Sequence, residues 1–189
     1  MADIVEIRWH GRGGQGAKTA AEVLAEAVIR DGKYIQSFPE YGPERMGAPV
    51  QAYNRLSDER IDIHSNVYTP DCVVVLDPTL LESGSVTGGL KEDSVLIVNT
   101  DLPPEEVKKT TGFKGKVFTL DAYKIAREEI GRPMANTPCL GALVRATGVT
   151  SIENVKESLR SHLGSKLSEK VLEANIRAIE RAYKEVREA

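Results

Sequence analysis

The stretch Ile4-Val5-Glu6-Ile7-Arg8-Trp9-His10-Gly11-Arg12-Gly13-Gly14-Gln15-Gly16, running into Ala17 to Arg30, decides the fold. Its first six residues are a β-branched run that ends in a glycine cluster, which predicts a strand. Beyond the glycines, Ala20, Val23, Leu24, Ala27 and Val28 recur at helical spacing, and Gly32 stands where a helix C-cap belongs. Lys33 to Phe38 reads as a second strand. Strand, turn, helix and strand in that order open an α/β domain.

Working outward, Pro39 to Pro49 carries three prolines and two glycines, so it forms a kinked loop rather than a regular element. Val50 to Leu56 and Arg60 to His64 are two short strands whose spacing predicts an antiparallel hairpin. Asp71 to Asp77 and Ser94 to Asn99 are continuous apolar runs without alternation, as expected of strands covered on both faces of a parallel sheet. Asp77-Pro78 ends the first of these at its carboxyl edge, where ligands gather in open α/β sheets. Lys116 to Leu120 reads as a further strand. Asp121 caps a helix to about Ile130, with Gly131 and Pro133 ending it. Cys139 to Thr147 reads as a buried helix, and Ile152 to Leu163 and Glu169 to Val186 as amphipathic ones. The expected architecture is a three-layer α/β/α fold: a mostly parallel mixed sheet containing an antiparallel hairpin, with C-terminal helices. Residues 1–189 are expected to form one domain, its helical part beginning at about 138.

Composition narrows the function classes. A net charge of −3 with interspersed signs offers no basic stripe for nucleic acid. No apolar run approaches the ~20 residues needed to span a bilayer, and no signal peptide is visible, so a cytoplasmic protein is expected. Cys72 and Cys139 lie far apart, with no further Cys or His at ligand spacing. An iron–sulfur cluster needs four thiolates in recognisable runs, so the two read as buried thiols and no metal site is expected.

Gly11, Gly13 and Gly16 satisfy G-x-G-x-x-G between a strand and a helix, a pattern that lets a phosphate approach backbone N–H groups. A NAD site also needs an acid about twenty residues on, at the end of the second strand. Here that strand ends Gln36-Ser37-Phe38, and the nearest acid, Glu40, lies beyond Pro39. A phosphate loop of the G-x-x-x-x-G-K-T kind fails too, because Ala17 separates Gly16 from Lys18-Thr19. One inserted helical residue rotates the lysine by about 100°. Three readings stay open: a tight turn that permits close packing, an anion site, and a nucleotide site. Around the loop, Trp9 and Tyr41 read as packing or interface residues and His10 as a hydrogen-bonding one. Arg45 with Glu40 and Glu44 reads either as an ion network ordering the loop or as a clamp on a partner. His64 and His162 suggest nothing catalytic.

Three blocks carry a family resemblance: Trp9-His10 with the glycine loop Gly11-Arg12-Gly13-Gly14-Gln15-Gly16; Ser37 to Ala48, containing Phe38-Pro39-Glu40-Tyr41-Gly42-Pro43-Glu44-Arg45; and Asn136-Thr137-Pro138-Cys139-Leu140-Gly141-Ala142-Leu143. In this order they resemble the gamma subunits of pyruvate and related 2-oxoacid:ferredoxin oxidoreductases, over nearly the whole chain. The resemblance implies an assembled enzyme that decarboxylates a 2-oxoacid on thiamine diphosphate with Mg. It then passes electrons through [4Fe-4S] clusters to ferredoxin and delivers the acyl group to coenzyme A. Alpha, beta and delta-type subunits would hold the thiamine diphosphate and the clusters. This chain would not be active alone; it would support assembly and possible coenzyme A contact. The residues implied at a cofactor or subunit interface are Gly11, Arg12, Gly13, Gly14, Gln15, Gly16, Glu40, Tyr41, Glu44, Arg45, Asn136 and Thr137, with no catalytic residue. The second block most resembles the pyruvate type. A 2-ketoisovalerate or 2-oxoglutarate enzyme, or an independent nucleotide-binding α/β protein, are the alternatives.

Overall fold

The computed structural model describes residues 4–40 and 46–189. A seven-stranded sheet orders its strands β2-β3-β1-β4-β5-β6-β7. These are β1 (Val5–Arg12), β2 (Tyr34–Pro39), β3 (Pro49–Ser57), β4 (Cys72–Val75), β5 (Val95–Asn99), β6 (Lys116–Leu120) and β7 (Arg187–Glu188). The helices are α1 (Ala17–Arg30), α2 (Pro104–Thr111), α3 (Ala122–Ile130), α4 (Asn136–Thr147), α5 (Ile152–Leu163) and α6 (Glu169–Glu185). Strands β1, β4, β5 and β6 are mutually parallel, while β3 runs antiparallel between β1 and β2 and β7 antiparallel on β6. The α/β reading with a mixed, mostly parallel sheet and C-terminal helices stands.

The helix over Ala17–Arg30 forms as its periodicity requires, with Ala20, Val23, Leu24, Ala27 and Val28 all buried against the sheet. The continuous apolar runs become β4 and β5 and are covered on both faces. Cys72, Val74 and Ile97 join the core beneath α1, α4 and α6, while Val73, Val75, Leu96 and Val98 pack against Leu80, Val86 and Val107 on the other side. Helices α3, α5 and α6 begin on side-chain caps. Asp121 accepts from the N–H of Lys124, Ser151 from that of Asn154 and Ser168 from that of Val171.

Four local expectations change. Gly11 and Arg12 belong to β1, paired with Val50 and Pro49, so the loop proper begins at Gly13. Arg60 to His64 is not a strand. Both edges of β3 are already taken, by β1 and by β2, so no ladder remains for it, and the hairpin is β2–β3. Helix α4 starts at Asn136, three residues earlier than expected, with Pro138 inside its first turn where a missing N–H costs nothing. Helix α2 and the two-residue β7 were not anticipated.

Candidate functional site

The first connection from β1 leads through α1 to the β2–β3 side of the sheet, whereas β4 leads to β5 on the other side. The carboxyl ends of β1 and β4 therefore flank the point where the winding reverses, the crevice at which open α/β sheets bind ligands. The glycine loop sits there. Gln15 N–H donates to the Arg12 carbonyl at 3.0 Å, closing a turn whose third residue, Gly14, has φ 92°. Gly13 N–H donates to Ala48 O at 2.8 Å and Gly47 N–H to Gly13 O at 3.2 Å, which ties the loop to the strand entering from the other side. Gly16, at φ 79°, is the N-cap of α1 and provides no side-chain cap, and no acid lies in the first turn. The N–H groups of Ala17, Lys18 and Thr19 have no intrahelical acceptor and carry the positive end of a 14-residue helix dipole toward the crevice.

Side chains brace this arrangement from below. Gln15 Oε1 accepts from the Arg12 N–H at 2.7 Å, and Gln15 Nε2 donates to Asp77 Oδ2 at 2.7 Å and to the Tyr123 hydroxyl at 3.4 Å. Arg12 lies with Nε 3.3 Å from Asp77 Oδ2, donates from Nη2 to Thr79 Oγ1 at 2.7 Å and from Nη1 to Gly47 O at 3.2 Å. Asp77 Oδ1 accepts from both the N–H and the hydroxyl of Thr79, at 3.0 and 2.6 Å. Burial pushes the Asp77 carboxyl up, but the bonds from Thr79 and Gln15 and the charge of Arg12 outweigh it and hold it below the usual carboxylate range. Tyr123 is pushed up by burial and by the Asp77 charge. Asn136, at the start of α4, presses its amide against Gly16, and its buried Oδ1 has no hydrogen-bond partner.

The anticipated residues divide. Gly11, Arg12, Gly13, Gly14, Gln15, Gly16 and Asn136 meet in one place. Thr137 sits beside Asn136 but turns its hydroxyl onto Asn175 of α6 at 3.0 Å, fully inside the fold. Glu40 lies at the end of β2 and accepts from the Tyr53 hydroxyl at 2.9 Å. Tyr41, Glu44 and Arg45 lie outside the described residues, and so does the ion network suggested for them. Trp9 is fully buried and donates to Asn54 at 2.8 Å. His10 accepts from Arg8 Nε at 2.9 Å, and burial together with the Arg8 charge holds its pKa down at about 3. Sequence reasoning missed Thr79 and Tyr123 as members of the site. Asp77 was legible as a strand end at the edge where ligands gather, through an acidic residue directly before a proline at a parallel strand's carboxyl edge, but not as the partner of Gln15 and Arg12.

Chemically, the crevice offers backbone donors to an anion and, among the described residues, no nucleophile–base pair. Cys72 and Cys139 are free and buried, their thiols pushed well up by burial, and neither approaches a metal-ligand set. Among the described residues no group of three or more His, Cys, Asp or Glu side chains is placed to hold a metal ion. No helix among them is long and apolar enough to cross a membrane. The dinucleotide geometry is broken as well. The strand after α1 is not beside β1, because β3 intervenes, so the end of that strand, where a dinucleotide site carries its ribose-binding acid, does not border the loop.

Fold and site together define a doubly wound α/β module with a glycine loop at its switch point. The chain belongs to the pyruvate ferredoxin/flavodoxin oxidoreductase family, which it matches over residues 6–185. It is 52% identical over 182 residues to the pyruvate synthase subunit PorC of Thermotoga maritima, covering 96% of this chain and 94% of that one. It is 49% identical over 179 residues to the pyruvate/ketoisovalerate oxidoreductases common subunit gamma of Pyrococcus abyssi, covering 94% and 97%. The crystal structure of pyruvate oxidoreductase subunit PORC from Thermotoga maritima superposes with a TM-score of 0.88 at 48% identity, covering 98% of each chain.

Proposed function

We propose that this chain is the gamma-type subunit of a pyruvate:ferredoxin oxidoreductase and contributes shape, contact surface and an anion site to it rather than a reaction centre. The observation that carries the reading is the uncapped N-terminus of α1, held at the sheet's switch point by the glycine loop, on a chain whose relatives are named as such subunits. In the assembled enzyme the 2-oxoacid is decarboxylated on thiamine diphosphate with Mg, electrons pass through [4Fe-4S] clusters to ferredoxin, and coenzyme A accepts the acyl group. Companion chains of alpha, beta and delta type hold the thiamine diphosphate and the clusters, since this one brings two inaccessible thiols. Residues 1–189 act as one unit, in the cytoplasm. Coenzyme A is the ligand of the anion site. Its phosphates match what the loop offers, namely N–H groups of Ala17, Lys18 and Thr19 around a helix N-terminus. Arg12 is not the principal phosphate ligand, because Asp77, Thr79 and Gly47 already take its guanidinium.

The test uses the purified complex. With coenzyme A, amide exchange at residues 13–19 slows in the assembled enzyme; unchanged exchange at saturating coenzyme A rejects this site. Pyruvate oxidation by the isolated chain would overturn the subunit reading altogether.

A further inference from the structure

We propose that Asp77 is a positioning residue for coenzyme A, acting through Gln15 and Arg12 to hold the glycine loop in its anion-receiving shape. The inference rests on the coenzyme A reading of the loop and assigns the device that keeps it ready.

Asp77 stands at the carboxyl end of β4, directly across the crevice from the end of β1, and is mostly buried. One carboxylate oxygen takes the Gln15 amide at 2.7 Å and faces Arg12 Nε at 3.3 Å; the other takes both donors of Thr79. Gln15 in turn accepts the Arg12 main-chain N–H through its other amide atom at 2.7 Å. Every polar atom of the Gln15 side chain is therefore committed between the two strands, and the residue is pinned midway between Gly14 and Gly16. Those two glycines are the loop's softest points, each at a positive φ that the loop requires. Without the clasp, nothing in the covalent chain would hold Gln15 inward, and the glycines would let the loop leading into α1 shift beside the helix's free N–H groups.

The same carboxylate decides what Arg12 does. A guanidinium at the mouth of an anion site competes for the ligand unless it is neutralised and fixed. Asp77 and Thr79 draw it onto β4, one-third exposed, as a strut. Asp77→Asn keeps the size and one acceptor, but in either orientation its N–H₂ meets a donor, Gln15 Nε2 and Arg12 Nε on one side or the Thr79 N–H on the other, and the charge that fixes Arg12 is gone. Part-buried donors left unpaired, together with the lost charge, cost enough to open the clasp.

Steady-state kinetics and hydrogen exchange on the reconstituted complex carrying Asp77→Asn test this. The expected result is a KM for coenzyme A raised about tenfold, with kcat at saturating coenzyme A changed by less than about twofold. Amide exchange at residues 13–17 without coenzyme A should quicken by about the same factor. Gln15→Met, which cuts the clasp from the loop side and leaves Asp77 its bonds to Thr79 and Arg12, should reproduce both effects, and it decides the matter if Asp77→Asn fails to assemble. Normal loop exchange and a normal KM in Gln15→Met overturn the proposal. If wild-type exchange ignores coenzyme A while both variants still loosen the loop, the clasp stands and the ligand reading falls.

Discussion

A methyl group added at Gly16 would fall on the Asn136 amide and would also sit on a residue whose φ is 79°. Gly14, at φ 92°, is equally left-handed but has open space where its side chain would project. The two alanine variants therefore separate backbone strain from crowding. Gly14→Ala should cost about 1 kcal/mol and Gly16→Ala roughly 3 kcal/mol in denaturant unfolding of the purified chain; equal costs would mean that Asn136 yields freely. His10 makes a second residue-scale case. Its folded pKa is about 3, against about 6.5 in an unfolded chain, because burial and then Arg8 disfavour the imidazolium. The unfolded chain thus binds the extra proton first as pH falls, so the stabilising contribution is whole above pH ~6.5 and drains away toward pH ~3. Wild type should lose about 2 kcal/mol more than His10→Gln between pH 7 and pH 5. The glutamine still offers Arg8 an acceptor, and parallel pH profiles for the two proteins would refute the assignment.

At the scale of elements, what could be read in advance follows from whether the information is local. Ala17–Arg30 was legible to the residue because its apolar spacing and its bounding glycines are local facts. The Asp121 cap was legible in the same way, and β4 and β5 to within two residues at their ends. Arg60 to His64 alternates like a strand, yet strand formation needs a free partner edge, and β1 and β2 had occupied both sides of β3. Gln15 looked like one polar letter in a glycine run. Its role depends on Asp77, sixty-two positions along the chain, which only the β1–β4 pairing brings near. Gly141 was legible as part of a block but not as to purpose. In α4 it faces α6 so closely that a Cβ would overlap the Ile179 carbonyl, which is backbone and has nowhere to go. Gly141→Ala gains helix propensity and loses the helix–helix fit. The net cost should be roughly 3 kcal/mol, a fall in Tm on the order of 10 °C by calorimetry. A neutral or stabilised variant would show that α4 and α6 can separate without penalty.

Across the whole molecule the sheet has two unlike halves. Strands β4, β5 and β6 are sandwiched, with α2 and the segment of Leu80 and Val86 closing the second face. Strands β2, β3 and β1 carry helix α1 on one face only. Their other face is polar: Glu6 bonds Arg55 at 2.6 Å, Arg8 bonds His10, and Tyr53 bonds Glu40 and Gln51. Closing the far edge falls to the short β7. Ala189 exchanges two main-chain hydrogen bonds with Val117, at 2.9 and 3.0 Å, and Arg187 donates to the carbonyls of Asp101 and Leu102 at 3.0 and 2.9 Å. An unprotected parallel-sheet edge is a template for another chain. Deleting Val186 to Ala189 uncovers Lys116–Leu120, whose residues from Val117 onward are buried. The truncated chain should lose about 2 kcal/mol of stability, from the lost hydrogen bonds and the uncovered apolar surface. It should also self-associate with rising concentration in light scattering, while the full chain stays monodisperse under the same conditions. Unchanged scattering would mean that β6 is guarded by its own twist and flanking charges, and that the last residues close no edge.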